Sequence, residues 1–235
     1  MKKGEMVKLI VLRTIGNFLV LFAVFGFFAT FGPAVYYEIT YRIGKIRGIN
    51  YAVADVATVE DEVNKPSPDS IGTSLFGALL RKETEHLLVP VSTDFSLVIP
   101  KIGANHNVFE NVDPSNESEY LPILQKGVAH AKGTLFPGEG GTVYLFAHST
   151  DSFWNVGRYN AVFYLLKELD AGDEIAVFFR GRRYNYLVSE RRIEEASNVQ
   201  YLSPNIDKGE FLVLQTCWPP GTTWKRLFVL ARPKS

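Results

Sequence analysis

The residues of this chain that can do covalent chemistry gather at one point. Cys217, the only cysteine, ends the apolar stretch Phe211-Leu-Val-Leu-Gln-Thr and opens a Trp-Pro-Pro-Gly turn, which the chain leaves through Lys225-Arg226 into a second apolar stretch. A thiol at a strand end beside cations can be a nucleophile, because nearby positive charge favours the thiolate over the ordinary state of pKa about 8.5. By itself a lone cysteine reads first as a small buried hydrophobe. The remaining residues have to decide.

Four histidines could serve such a thiol. His86 precedes the β-rich region and His106 lies in a polar stretch read as a loop, so both are expected at the surface. His130, between small residues in Gly127-Val-Ala-His-Ala-Lys-Gly133, is expected to be structural. His148 comes directly off the strongest predicted strand and opens a polar loop, where sites are commonly assembled on a rigid scaffold. If the strands of His148 and Cys217 are neighbours, sulfur and imidazole meet in the arrangement that activates a thiol for acyl transfer. A tetrahedral oxyanion then needs a fixed donor, worth several kcal/mol. Adjacent strand residues face opposite sides, so only one of Lys225 and Arg226 can point at the site, and the planar, permanently charged Arg226 is the better candidate. Glu110, Asp113, Glu117 and Glu119 could bind calcium through oxygen ligands, although a solvated acidic loop is the simpler reading. This reading requires folding to bring residues 217, 148 and 226 to a common mouth of the barrel argued for below.

The elements that must position these groups follow from the rest of the chain. With 235 residues, 46% hydrophobic, there is enough apolar material for one well-filled core plus appendages. Basic and acidic residues number 25 each, so no global field points to nucleic acid. Residues 14–37 carry no charge; as a helix rising about 1.5 Å per residue they would span roughly 36 Å, enough to cross a hydrocarbon core of about 30 Å. An uncleaved transmembrane helix is expected rather than a signal peptide, since no small-x-small cleavage site follows. Lys2, Lys3, Lys8 and Arg13 before the span, against Arg42, Lys45 and Arg47 after it, lean toward a cytoplasmic N-terminus and an external C-terminal domain. Residues 38–91 read as a juxtamembrane helix or stalk to about residue 63, a Pro66-Ser-Pro-Asp-Ser70 linker and a short amphipathic helix at Ser74–Glu83, which packs on the following domain or covers a groove as a lid. From residue 92 to 235 the grammar is β: strands are predicted at Ser96–Ile102, Gly140–Ala147, Glu174–Phe179, Arg183–Val188 and Glu210–Leu214, with one short helix at Val162–Leu169. That pattern predicts a mostly β domain, a closed barrel or sandwich with short helices, behind an N-terminal transmembrane helix.

Leu214-Gln-Thr-Cys217, followed nine residues later by Arg226, resembles the sortase signature, a Thr-Leu-x-Thr-Cys strand end with arginine on the next strand; Val213 stands where the first threonine is usual. Val98-Ile-Pro-Lys-Ile-Gly103, Gly127-Val-Ala-His-Ala-Lys-Gly-Thr134, Pro137-Gly-Glu-Gly-Gly-Thr142, Ala147-His148 and Gly172-Asp-Glu-Ile175 fall in the order of that family's landmarks, and Ser149 replaces the arginine of its Gly-His-Arg. The resemblance implies an eight-stranded sortase barrel, tethered to the membrane and facing outward. It also implies a thioester-forming transpeptidase acting on Leu-Pro-x-Thr-Gly-like sorting signals, with a cell-wall precursor or pilin lysine as amine acceptor. In that frame Cys217 is the nucleophile, His148 the general acid and then base, Arg226 the oxyanion and substrate clamp, and Thr216 a hydroxyl or backbone contact to the same oxygen. No cofactor is implied beyond a possible calcium ion. A thiol hydrolase and a non-catalytic anchored β module are the competing classes; His148 preceding Cys217 argues against papain-like hydrolases, in which the cysteine usually comes first.

Overall fold

The computed structural model describes residues 3–54, 85–149, 162–203 and 209–234. It opens with one continuous helix, α1 (Lys3–Ile46), followed by β1 (Asn50–Val53) and β2 (Glu85–Leu88), which pair in parallel. Eight further strands are β3 (Phe95–Ile99), β4 (Ala104–Val112), β5 (Val128–Ala131), β6 (Thr142–Phe146), β7 (Glu174–Phe179), β8 (Arg182–Glu195), β9 (Phe211–Trp218) and β10 (Lys225–Pro233), with a short helix, α2 (Glu117–Leu124), between β4 and β5. They close into a barrel in the order β10-β8-β7-β3-β4-β5-β6-β9. Among the described strands of the barrel, β4–β5 and β6–β9 pair in parallel and the other neighbours antiparallel.

Several expected boundaries shift. The uncharged run does not end its helix: α1 continues nine residues past residue 37, through the Glu38–Arg42 pair at 2.7 Å. Its segment Gly4–Phe28 is long and apolar enough to cross a membrane, with mean hydropathy 2.1 and nothing packed over it. Residues 100–102, read as strand, form a 3-10 turn that Pro100 opens. The helix expected at Val162–Leu169 is a 3-10 turn over Tyr164–Glu168. His106 lies within β4 rather than in a loop, half-buried, while His86 is exposed on β2. The linker at Pro66–Ser70 and the helix expected at Ser74–Glu83 fall outside the described residues.

Two cores account for the burial. Inside the barrel, alternate residues such as Leu97, Val108, Leu145, Val177, Leu214 and Val229 form one cluster. Outside the β5-β6-β9-β10 wall, Ala129, Tyr144, Phe146, Val213 and Phe228 form another, covered by Leu124 of α2 and by Tyr201. Covering both faces explains why every residue of β6 is buried and why it reads as a continuous apolar run without alternation. Removing such a side chain to alanine costs about 2–5 kcal/mol.

One histidine, His130, is fully buried, and its ring stacks on Phe136 at 4.4 Å. Its Nε2 lies 3.0 Å from the Leu135 carbonyl and 3.1 Å from Thr134 Oγ1, and its Nδ1 accepts from the Asn111 N–H at 3.4 Å. The neutral Nε2–H tautomer satisfies both sides. Asn111 takes φ +56° at the irregularity of the β4–β5 ladder, the left-handed conformation that asparagine tolerates.

Burial holds the His130 pKa below the ordinary histidine value, against smaller opposing effects of the Leu135 carbonyl, Glu110 and Glu139. A depressed folded-state pKa means that the unfolded chain takes up the proton first, below about pH 6.5. Stability present above that value is therefore lost as the pH falls. Thermal unfolding of the full chain in detergent should show Tm declining between pH 7.5 and 5.5, with a shallower decline in His130→Gln; equal slopes would exclude His130 as the source.

Candidate functional site

The site is a consequence of strand register. In the parallel β6–β9 ladder the last pair is Phe146 with Gln215. Lateral contact continues beyond it, the Ala147 N–H donating to the Gln215 carbonyl at 3.2 Å and Thr216 Oγ1 donating to the Ala147 carbonyl at 2.9 Å. Two residues past that pair on each strand are His148 and Cys217. On the other side of β9, Arg226 of β10 stands directly opposite Cys217, the position from which side chains meet with Cβ atoms about 5 Å apart.

Alternation fixes the face. Leu212 and Leu214 point into the barrel and Phe211 and Val213 into the outer cluster, so Cys217 projects outward and Thr216 inward. Leu227 is interior, which turns Arg226 outward. Cys217 and Arg226 therefore share the outer face of the barrel wall, at the strand end beside which the chain runs on from β6 into His148. Lys225 takes the opposite face and pairs with Glu195 at 3.4 Å.

Thr216 turns inward. It is 1% exposed and its hydroxyl is spent on the Ala147 carbonyl, which leaves its backbone, not its hydroxyl, as the group that could meet an oxygen at the outer site. It fastens β9 to the chain just before His148.

Electrostatics modify the expected thiolate. Cys217 is half-buried, and desolvation raises its pKa above the ordinary thiol value, offset only in part by Arg226. The resting group is a protonated thiol. Arg226 is held by its Nη1, which donates to the Thr223 and Lys225 carbonyls at 3.0 and 3.2 Å. Two tyrosines missed by sequence reasoning border the site. Tyr144 of β6 reaches Gln215 Oε1 at 3.5 Å; Tyr120 of α2 packs edge-on against Phe146 with ring centroids 6.2 Å apart. Burial raises both phenol pKa values while Arg226 lowers them, and at Tyr120 the neighbouring Glu117 carboxylate adds to the rise. Tyr120 could have been found from Asn116-x-x-Glu119, a helix-start pattern that the reading as an acidic loop passed over.

The acidic residues separate accordingly. Glu110 lies on β4, Asp113 in the turn, and Glu117 and Glu119 in the first turn of α2. Asp113 accepts from the Ser115 hydroxyl and amide, at 2.6 and 2.8 Å, and Glu119 accepts from the Asp113 N–H at 3.0 Å. Among the described residues no group of three or more His, Cys, Asp or Glu side chains is arranged to hold an ion.

Comparison with known proteins agrees with this architecture. The sortase domain model matches residues 97–234. Sortase D of Bacillus subtilis strain 168 is 28% identical over 123 residues, covering 52% of this chain and 53% of that protein; the match thus spans about half the length of the relative. The solved structure of Streptococcus agalactiae sortase C1 in complex with MTSET is 24% identical, covers 60% of this chain and 67% of that one, and superposes with a TM-score of 0.50, a likeness of fold. A Clostridium perfringens sortase D5 transpeptidase is also 24% identical, with 60% and 79% coverage and a TM-score of 0.49. With the domain model matching more than half of its length, the chain belongs to the sortase family.

Proposed function

We propose that this chain is a membrane-anchored cysteine transpeptidase that cleaves a Leu-Pro-x-Thr-Gly-like sorting signal and transfers the substrate protein to an amine of the cell wall or of a pilin. The observation that carries the reading is the placement of Arg226 directly across the ladder from Cys217, on the outer face of a strand pair whose register leads to His148. Segment Gly4–Phe28 of α1 serves as the anchor, with the N-terminus cytoplasmic and the barrel outside.

In this mechanism substrate binding displaces water from the outer face and the Cys217 thiol passes its proton to His148. The sulfur attacks the threonine carbonyl carbon and the C=O electrons move to oxygen, where the Arg226 guanidinium stabilises the negative charge. Collapse breaks the C–N bond; His148 gives its proton to the leaving glycine amine, and a thioester remains. An incoming amine then attacks the same carbon, His148 takes its proton, and collapse expels the Cys217 thiolate. The thioester conserves the energy of the amide bond, so the transfer needs no nucleotide and no metal step. Tyr120 and Tyr144 flank the outer face against which the peptide would be held.

The competing reading, a thiol hydrolase, differs only in the second nucleophile. Incubation of full-length protein with a sorting peptide and triglycine should yield the glycine-ligated product; release by water alone would favour the hydrolase. Cys217→Ala should abolish acyl-enzyme formation, and Arg226→Lys should lower kcat/KM at least tenfold with Tm nearly unchanged. Full activity in either variant would overturn the assignment. Because Arg226 opposes the burial of the thiol, the pH midpoint for alkylation of Cys217 by iodoacetamide should lie above that of a free thiol and rise further in Arg226→Met. A midpoint that falls or stays fixed would remove Arg226 from the electrostatics of the sulfur.

A further inference from the structure

The 3-10 turn Tyr164–Glu168 is a wedge with two working faces. Phe163 and Leu166 enter the barrel core. Tyr164 and Leu165 point the other way and pack against Tyr41 of α1 and Ile102. Lys167, which reaches the same side, pairs with Glu38 of α1 at 2.7 Å, and its ammonium lies 4.7 Å from the centroid of the Tyr164 ring. Neither partner is widely exposed, at 21% for Glu38 and 23% for Lys167, so the pair is better shielded than an ordinary surface ion pair. From the barrel side Arg191 Nη1 donates to the carbonyls of Lys167 and Leu169 and fixes the far end of the wedge. At its near end the Phe163 N–H donates to the His148 carbonyl at 3.2 Å.

Glu38 is the first charged residue after the uncharged run, and at about 1.5 Å per residue Tyr41 stands only about 6 Å beyond that run's end. The barrel is thus gripped within about one turn of helix beyond the uncharged run. A cavity of about 440 Å³ opens beside the junction, between Tyr41 and Gly44 of α1 and the Pro100–Gly103 turn. The grip therefore rests on a few points rather than on continuous packing.

We propose that the outer end of α1 is a docking strut: the Glu38–Lys167 pair and the Tyr41 contact hold the barrel at a fixed height and tilt on the membrane, and through the wedge they position the backbone of His148. Glu38, Tyr41 and Lys167 are positioning residues, acting on His148 through the Phe163 amide. The significance of this link for catalysis rests on the proposed role of His148. The measurements that test it use no substrate, so they stand or fall apart from the transpeptidase reading.

Full-length protein in lipid nanodiscs, carrying Cys217→Ala with Tyr41→Cys and Leu165→Cys, should form an intramolecular disulfide under mild oxidation. Glu38→Lys should reduce its yield at least fivefold, and adding Lys167→Glu, which restores the pair with charges exchanged, should recover it. In a second sample with native residues 41 and 165, histidine labelled at Cε1 gives a signal for His148, assigned by His148→Asn. That signal should shift in Glu38→Lys and return in the exchanged pair, while the exposed His86 stays fixed and an unmoved His130 signal reports an intact core; Glu38→Gln is the milder variant should Glu38→Lys fail to fold. Absence of the disulfide in an intact core overturns docking, and a disulfide indifferent to Glu38→Lys overturns the role of the ion pair. A disulfide lost while the His148 signal stays fixed overturns the positioning of His148.

Discussion

Strand β9 has two partners of opposite direction, and the site exists because both ladders hold their register at once. Parallel pairing with β6 carries the chain toward His148 at the level of Cys217, and antiparallel pairing with β10 sets Arg226 across from the same residue. Neither ladder alone would assemble all three groups. A slip of one residue in either would turn a whole set of side chains to the other face, so the interior residues Leu212, Leu214 and Leu227 enforce the chemistry of residues they never touch. The Thr216 hydroxyl bonded to the Ala147 carbonyl locks the parallel pair at the point where regular pairing runs out.

The same wall faces two environments and is paid for on both. Its inner surface belongs to the main core. Its outer surface is roofed by α2 and Tyr201 along most of its length and left partly open at Cys217, where the roof ends. The sulfur is therefore half-desolvated, which raises its pKa, while the guanidinium opposite works against that rise without cancelling it. A thiol kept protonated at rest, beside a fixed cation, is guarded against indiscriminate alkylation and oxidation, both of which follow thiolate character.

Much of this was legible in the residues. The Cys217-to-Arg226 interval and the emergence of His148 from a strong strand placed the three groups on strand ends, and β-branched and aromatic runs announced a mostly β domain. What the sequence could not convey was the face. A strand such as β6, buried on both sides, shows no alternation, and without it the barrel interior, its mouth and its outer wall cannot be told apart. The inward turn of the Thr216 hydroxyl was hidden for the same reason, adjacency in sequence being opposition in a strand. Helix α2 was hidden because its acidic first turn, which suits a helix N-terminus, looks like a solvated loop when counted as charge. A helix or a stalk was expected after Tyr37, and the choice between them stayed open because charge marks the end of an apolar run, not the end of a helix.

The fastening of Thr216 to Ala147 joins residues 69 apart in sequence, and that separation bears on when the wall around Cys217 is completed during folding. Contacts between distant segments carry a loop-closure cost that must be met before their energy is returned. A partly collapsed chain therefore carries an ordinary sulfhydryl, and the guanidinium comes to stand opposite it only once the β9–β10 ladder has closed.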